Sequence, residues 1–176
     1  MVAYDKHYRK IEYFGEPYKE LVAFFEQYPS RGKLVDLGAG QGRDALFLAA
    51  LGYEVDAVDV SSVGLGQIKA KNPLIKTVQA DIYKFCVSGY DFVLMDSMLH
   101  FYSRDMTRET RLVEKVLQDM SVGAVLVNCL SKSDKAEKTL MGIFEKVRCD
   151  FEIIENSYID YPEGKCEYHL LAIRKK

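Results

Sequence analysis

The segment from Leu34 to Ala50 constrains the fold of this chain more than any other. It reads Leu-Val-Asp-Leu-Gly-Ala-Gly-Gln-Gly up to Gly42 and continues as Arg-Asp-Ala-Leu-Phe-Leu-Ala-Ala. The apolar run predicts a buried strand, the glycines predict a tight loop, and the residues that follow predict a helix. A strand, loop and helix in this order can hold a nucleotide-like ligand at the N-terminus of the helix.

The spacing of the glycines indicates which ligand. A dinucleotide fingerprint needs its third glycine at position 43, but that position is Arg43. The pattern Asp-x-Gly-x-Gly-x-Gly instead resembles motif I of the class I S-adenosylmethionine (SAM) methyltransferases. The resemblance implies that this loop wraps the methionine part of SAM, and that the aspartate reaches its amino group. The residues assigned to the cofactor in this way are Asp36, Gly38, Ala39, Gly40 and Gly42.

Predicted strands and helices alternate along the chain. Strands are predicted at 33–37, 53–60, 74–79, 90–95 and 123–130, and helices at 17–28, 42–51, 61–72, 107–120 and 134–147. The extended stretches 151–161 and 166–173 flank a proline and glycine turn at 162–164, which predicts a hairpin. Parallel strands followed by a terminal hairpin resemble the methyltransferase sheet. The predicted fold class is therefore α/β and Rossmann-like, with a seven-stranded mostly parallel sheet, a C-terminal antiparallel β-hairpin and helices on both faces.

Two further acidic residues stand at the ends of predicted strands. Asp59 ends the second strand and matches the acidic residue of motif II, which implies hydrogen bonds to the ribose hydroxyls of SAM. The alternative is that Asp59 caps the next helix. Val60 would lie against the adenine ring. Asp81 and Ile82 follow the third strand, where the resemblance implies contacts to the adenine amine and ring.

The family places the acceptor after the fourth strand. Enzymes that methylate adenine amines or glutamine amides carry an Asn-Pro-Pro-Tyr type motif there, whereas this chain has a run that begins Asp-Ser-Met-Leu. Asp96 and Ser97 are assigned to the cofactor, and His100 and Tyr102 to the acceptor. His100 is the candidate general base, because an imidazole can accept a proton near neutral pH. The alternative is a structural, hydrogen-bonded histidine.

The N-terminal third of the chain indicates a branch of the family. Arg43 directly after the glycine loop, together with motifs around Tyr13 and Gly52, makes residues 1–65 look like the small tellurite-resistance-type branch. Arg43 is expected to order a cap or to pair with the SAM carboxylate, or else to form a surface ion pair with Asp44 or Glu16. Residues 1–16 are predicted to cap the active site, and Tyr13 and Phe14 are candidates for contact with the acceptor. A mobile arm is the alternative.

Composition restricts the partners. The chain has 176 residues, which predicts a single domain over residues 1–176, and its net charge of −2 gives no reason to expect nucleic-acid binding. No signal peptide or apolar span is evident, so the cytoplasm is expected and no membrane partner is predicted. The four cysteines are scattered and have no zinc-ligand spacing, so no metal site is predicted.

The sequence therefore predicts a SAM-dependent methyltransferase, with S-adenosylhomocysteine (SAH) as product and a small molecule as acceptor. Three alternatives stay open. They are a protein methyltransferase, a non-catalytic SAM-binding subunit of a complex, and a nicotinamide-dependent oxidoreductase. The sequence does not identify the acceptor atom or the oligomeric state.

Overall fold

Strands and helices alternate along most of the chain. The computed structural model describes residues 3–10, 12–147, 150–161 and 166–176. The elements are a 3-10 helix (Ala3–Arg9), α1 (Lys19–Gln27), β1 (Lys33–Leu37), α2 (Arg43–Ala50), β2 (Glu54–Asp59), α3 (Ser62–Lys71), β3 (Lys76–Gln79), β4 (Phe92–Asp96), α4 (Met106–Asp119), β5 (Val125–Ser131), α5 (Asp134–Val147), β6 (Phe151–Tyr161) and β7 (Cys166–Lys175). Residues 3–10 and 12–16 are called the N-terminal segment below.

Within the described residues, seven strands form one sheet in the order β3-β2-β1-β4-β5-β7-β6. The pairs β1 with β2, β2 with β3 and β4 with β5 are parallel, whereas β7 runs antiparallel to both β5 and β6. The predicted mostly parallel sheet with its terminal hairpin is therefore confirmed. The turn predicted at 162–164 lies outside the described residues. No helix in the described part of the chain is long and apolar enough to cross a bilayer.

The chain divides into two compact units, residues 1–85 and residues 86–176. The first unit has β1 to β3 with α1 to α3, and Leu34 and Val58 are among its fully buried strand residues. The second unit has β4 to β7 with α4 and α5, and Leu94 and Val127 are buried in the same way. The single domain over residues 1–176 stays a prediction.

Strand β3 begins later than predicted, at Lys76 rather than at residue 74. The Asn72 side chain accepts a hydrogen bond from the Leu74 amide N–H at 3.0 Å, which holds these residues in a turn. Leu74 is consequently almost fully exposed. A local side-chain bond has therefore replaced the first two residues of the strand.

Helix α3 contains two glycines, which in isolation weaken a helix prediction. One of them is needed for packing. A Cβ on Gly64 would lie 2.1 Å from the carbonyl oxygen of Gly40. Only glycine at this position therefore allows α3 to pack so closely against the loop after β1. Gly42, with a φ of +84°, is restricted in the same way, since its Cβ would lie 2.5 Å from the Ile68 side chain. The glycines therefore seat α3 against the loop.

We expect opposite effects from alanine at the two glycines of α3. Gly64→Ala should lower the free energy of unfolding by about 1–3 kcal/mol or more, because backbone atoms must move apart. Gly66→Ala is the matched control, since its Cβ would meet nothing within 4 Å. It should raise stability by about 0.5–1 kcal/mol through helix propensity. Urea unfolding of both variants makes the comparison, and equal stabilities would contradict the close approach of α3.

Candidate functional site

The glycine loop between β1 and α2 has the conformation that its sequence predicts. Gly38, Gly40 and Gly42 all have positive φ angles, of 82°, 54° and 84°. The amide N–H groups of Gly38 and Ala39 both donate to the Val58 carbonyl, which ties the loop to β2. Gly42 is the N-cap residue of α2, so the loop leads into a helix N-terminus, where backbone N–H groups favour a negatively charged group.

Asp59 connects this loop to the next one. Its Oδ2 accepts from the Gly40 amide N–H at 2.9 Å, and its Oδ1 accepts from the Ser61 amide N–H at 2.7 Å. Asp59 is not the helix cap, because Ser61 is the N-cap residue of α3 and its Oγ accepts from the Gly64 amide N–H. The carboxylate is buried at the ends of β1 and β2 and holds the two loops together.

Asp36 is a buried acidic residue of the first unit with one oxygen that lacks a hydrogen-bond donor among the described residues. It is only 3% exposed, and none of the described residues donates a hydrogen bond to its Oδ2. Burial, and then the negative charge of Asp44, raise the pKa of Asp36 well above its ordinary value, although Arg43 offsets part of the shift. Such a carboxylate is suited to bind a cationic group, which would supply the missing donor and charge.

Arg43 forms an ion pair that lies inside the protein. Its Nη2 lies 2.9 Å from Asp44 Oδ2, and its Nε donates to Asp44 Oδ1 at 3.1 Å. The guanidinium also lies 4.5 Å from the centre of the Tyr18 ring, which is buried. The ion pair with Asp44 is one of the predicted alternatives, but it is largely buried and not at the surface.

Gln41, which stands between two loop glycines, binds the N-terminal segment. Its Oε1 accepts from the Tyr13 amide N–H at 3.0 Å, and its Nε2 donates to the Lys10 carbonyl at 2.8 Å. Nε2 also donates to Gln67 Oε1 at 2.8 Å, and Gln67 Nε2 donates in turn to the Tyr8 carbonyl at 2.7 Å. The two amides therefore fasten the segment to both the glycine loop and α3.

Side chains add further contacts to this attachment. The hydroxyl oxygen of Tyr8 lies 3.0 Å from the position that a Cβ on Gly40 would take. The Ser61 hydroxyl donates to Asp5 Oδ1 at 2.6 Å. Tyr13 and Phe14 pack edge to face, with ring centres 5.0 Å apart, and both stay partly exposed. The candidate acceptor residues of this segment therefore present aromatic surface to solvent.

The remaining candidates of the first unit follow β2 and β3. Val60 is 39% exposed, which leaves its side chain available to a ring. Ile82 is buried, and Asp81 Oδ1 accepts from the Tyr83 amide N–H at 3.1 Å. Asp81 therefore also shapes the short turn after β3.

In the second unit, Asp96 is the last residue of β4, one residue beyond the predicted end of the strand, and Ser97 follows it. The Ser97 hydroxyl donates to Asp96 Oδ1 at 3.0 Å, and the Ser97 amide N–H donates to the Cys129 carbonyl at 2.8 Å. His100 and Tyr102 follow, with their rings stacked at a centre-to-centre distance of 5.4 Å. The His100 side chain is 40% exposed, so the imidazole is not turned into the core.

Comparison with known proteins identifies the family. The family model described as "Tellurite resistance protein TehB" matches residues 4–140. The chain belongs to the TehB family. A relative from Haemophilus influenzae, named as a probable SAM-dependent methyltransferase TehB, is 30% identical over 138 residues, which are 72% of this chain and 48% of the relative. The chain thus spans about half the length of the curated relatives it matches.

Solved structures agree with the TehB-family fold. TehB from Haemophilus influenzae has a TM-score of 0.72 at 23% identity, covering 98% of this chain and 66% of that one. The N-methyltransferase NodS from Bradyrhizobium japonicum, in complex with SAH, has a TM-score of 0.75 at 12% identity, covering 97% and 95%. A TehB-like methyltransferase from Corynebacterium glutamicum has a TM-score of 0.72 at 18% identity, covering 98% and 96%. At these identities the likeness is one of fold.

The structure of this TehB-family chain adds residues that the sequence analysis did not select. Gln41 lies in the glycine loop, and Asp44 lies in the first turn of α2 directly after it. These positions are the sequence features that could have identified them. Glu109 accepts hydrogen bonds from the loop after β4. Its signal was an acidic residue in register with the apolar stripe of α4, which continues through Leu112 and Val116.

We expect Asp36→Asn to stabilise the folded protein at neutral pH. Because the folded-state pKa of Asp36 is raised, the folded state retains a proton that the unfolded chain has released. The free energy of unfolding should therefore fall as the pH rises from the ordinary aspartate pKa to the raised folded-state pKa of Asp36. The asparagine variant should not show this fall. Its melting temperature should exceed the wild-type value at pH 7.

The difference should disappear below the ordinary aspartate pKa of about 3.9, where Asp36 is neutral in both states. Asp160→Asn, an exposed change on β6, is the matched control and should leave the pH dependence unchanged. A lower melting temperature for Asp36→Asn at neutral pH would contradict the electrostatic account.

Proposed function

We propose that this TehB-family chain is a SAM-dependent methyltransferase that acts on a small-molecule acceptor. The observation that carries the proposal is the buried carboxylate of Asp36. Its Oδ2 receives no hydrogen bond from the described part of the chain, and Asp36 lies in β1, two residues before the first glycine of the loop. A buried charge is costly unless it is paired, and the ammonium group of SAM fits this position chemically.

The other groups of the first unit suit the same ligand. The positive φ angles of Gly38 and Gly40 belong to a loop that lets a ligand approach the backbone. Each oxygen of Asp59 already accepts one backbone N–H and keeps a further lone pair, with which it would accept from ribose hydroxyls. Val60 would flank the adenine. When bound, SAM supplies a methyl group that its sulfonium has already activated.

We propose an indirect role for Arg43. Its guanidinium is engaged by Asp44 and by the Tyr18 ring, so it acts by fixing the start of α2 and by limiting the repulsion between Asp36 and Asp44. The assignments of Asp81, Ile82, Asp96 and Ser97 to the cofactor stay predictions from the sequence.

A small acceptor is supported by the names of similar structures. These include a 1,6-didemethyltoxoflavin-N1-methyltransferase from Burkholderia thailandensis and a magnesium protoporphyrin IX methyltransferase from Synechocystis, with TM-scores of 0.73 and 0.72. Both names describe small, ring-containing substrates. This chain exposes Tyr13 and Phe14 in its first unit and Tyr102 in its second, which are side chains suited to flat apolar surfaces.

His100 is the proposed general base for an acceptor whose proton is not lost spontaneously. Its exposed imidazole lies in the loop after β4, and base assistance of this kind contributes about a hundredfold or more to turnover. An acidic hydroxyl or a thiol would ionise without this help. The protein methyltransferase and the non-catalytic subunit remain the alternatives.

We expect SAH to increase the protection of the N-terminal segment against hydrogen exchange, as a cap should behave. The attachment through Gln41 suggests how ligand binding in the loop would be transmitted. Gln41→Ala should raise exchange across the segment and reduce the effect of SAH. Gln27→Ala, at an exposed position on α1, is the matched control and should change neither. If SAH leaves the protection of the wild-type N-terminal segment unchanged, the segment is a passive arm and not a cap.

Calorimetry and turnover test the function itself. SAM and SAH should bind, NAD and FAD should not bind comparably, and Asp36→Asn should weaken SAH binding by about 1.5–3 kcal/mol through loss of a charge-assisted hydrogen bond.

Release of SAH should then be measured with tellurite, thiols, phenols and heteroaromatic amines as acceptors. Tight NAD binding without SAM binding would reject the proposal. Binding without turnover on small molecules, peptides or partner proteins would favour a non-catalytic subunit.

A further inference from the structure

Glu109 is a buried acidic residue whose position the apolar core does not require. It lies in the first turn of α4, is 3% exposed, and shares a helix face with Leu112, Val113 and Val116. Burial of a carboxylate is unfavourable unless hydrogen bonds compensate for the lost water. The hydrogen bonds that Glu109 accepts therefore indicate its role in the structure.

Both oxygens of Glu109 face the loop after β4. Oε2 accepts from two consecutive amide N–H groups, those of His100 at 2.9 Å and of Phe101 at 2.5 Å. Oε1 lies 3.9 Å from Nδ1 of the His100 imidazole. One carboxylate thus holds the backbone of His100 and faces its side chain.

The loop needs such an attachment because its backbone is unusual. Ser97 and Phe101 have φ angles of +55° and +51°, which residues other than glycine seldom adopt and which persist only when the surroundings impose them. Leu99 and Phe101 are buried, whereas His100 and Tyr102 between and after them point outward. The loop therefore anchors alternate side chains and presents the imidazole.

We propose that Glu109 is a positioning residue for methyl transfer, acting through His100. Oε2 fixes the loop that presents the imidazole. The negative charge beside Nδ1 stabilises the imidazolium that forms when His100 takes the proton of an acceptor O–H or N–H, whose bonding electrons stay on the acceptor. This inference rests on the proposed function, because it requires that His100 meets the acceptor.

Two substitutions separate the two contributions. Glu109→Ala removes the acceptor of both amides and the charge. Glu109→Gln removes only the charge, because the amide oxygen of glutamine can take the place of Oε2. Glu114→Gln, on the same helix and half-buried, is the matched control.

Nuclear magnetic resonance tests the positioning without any acceptor. In Glu109→Ala, the amides of His100 and Phe101 should exchange at least about tenfold faster, as expected for a lost charge-assisted hydrogen bond. Contacts between the His100 and Tyr102 rings should weaken in the same variant. Glu109→Gln and Glu114→Gln should keep most of the protection, and SAH affinity should stay within about threefold in every variant whose fold is intact. Unchanged exchange at both amides in Glu109→Ala would overturn the proposal.

A double-mutant cycle with an active acceptor tests the coupling to chemistry. Glu109→Gln should lower kcat by about tenfold and should change KM less. His100→Ala should lower kcat by about a hundredfold. In the His100→Ala background, Glu109→Gln should have no further effect, which a merely structural role would not produce. Independent, additive losses would overturn the proposal. Absence of SAH binding by the wild-type protein would reject the proposed function instead, and the exchange measurement would still decide whether Glu109 holds the loop.

Discussion

The first unit depends on one carboxylate that two loops share. Asp59 accepts from Gly40 in the loop after β1 and from Ser61 in the loop after β2, so neither loop can move without breaking a charge-assisted bond. The contact between the backbones of Gly40 and Gly64 brings α3 against the same point. Loops are ordinarily the most variable part of such a fold. Here a short set of contacts joins the two loops to each other and to α3.

The charge around this junction is unbalanced. Asp36, Asp44 and Asp59 are buried near one another, and the Arg43 guanidinium is paired with Asp44. A protein that only had to fold would gain little from such an arrangement, because like charges in a buried region oppose folding. Acidic residues whose pKa is raised by burial and by neighbouring charges cluster at functional sites. The excess of buried negative charge makes the site suited to bind a cation, and it also lowers the stability of the folded protein.

Local patterns explain why the fold could be predicted. The strand at 33–37 and the helix at 134–147 begin and end at the predicted residues, because their apolar periodicity and flanking turns decide them. The predicted hairpin at 151–173 is also present, and its second strand is longer than predicted. Three of the candidate positions, Asp36, Gly40 and Asp59, are close together in the first unit for the same reason, since parallel strands end at one edge.

Other features depend on contacts between distant parts of the chain, which local patterns do not encode. The burial of the Arg43 ion pair follows from the approach of Tyr18, and the role of Gln41 follows from where the N-terminal segment packs. The attachment of Glu109 to the amide of His100 likewise requires the helix and the loop to meet. The roles of the candidate residues toward cofactor and acceptor stay predictions, because ligand contacts depend on groups outside the chain.

The hydrogen bonds between Gln41 and Gln67 run in one direction. The Tyr13 N–H fixes the oxygen of the first amide, which turns its nitrogen toward Gln67, whose own nitrogen must then face the Tyr8 carbonyl. Replacement of either glutamine by glutamate would exchange the donating nitrogen for an accepting oxygen. At position 41 or 67 that change would place an oxygen against another oxygen and add a charge in a partly buried place. Exchange of one amide nitrogen for an oxygen would therefore oppose the hydrogen bonds that attach the N-terminal segment, while the contact of Ser61 with Asp5 would persist.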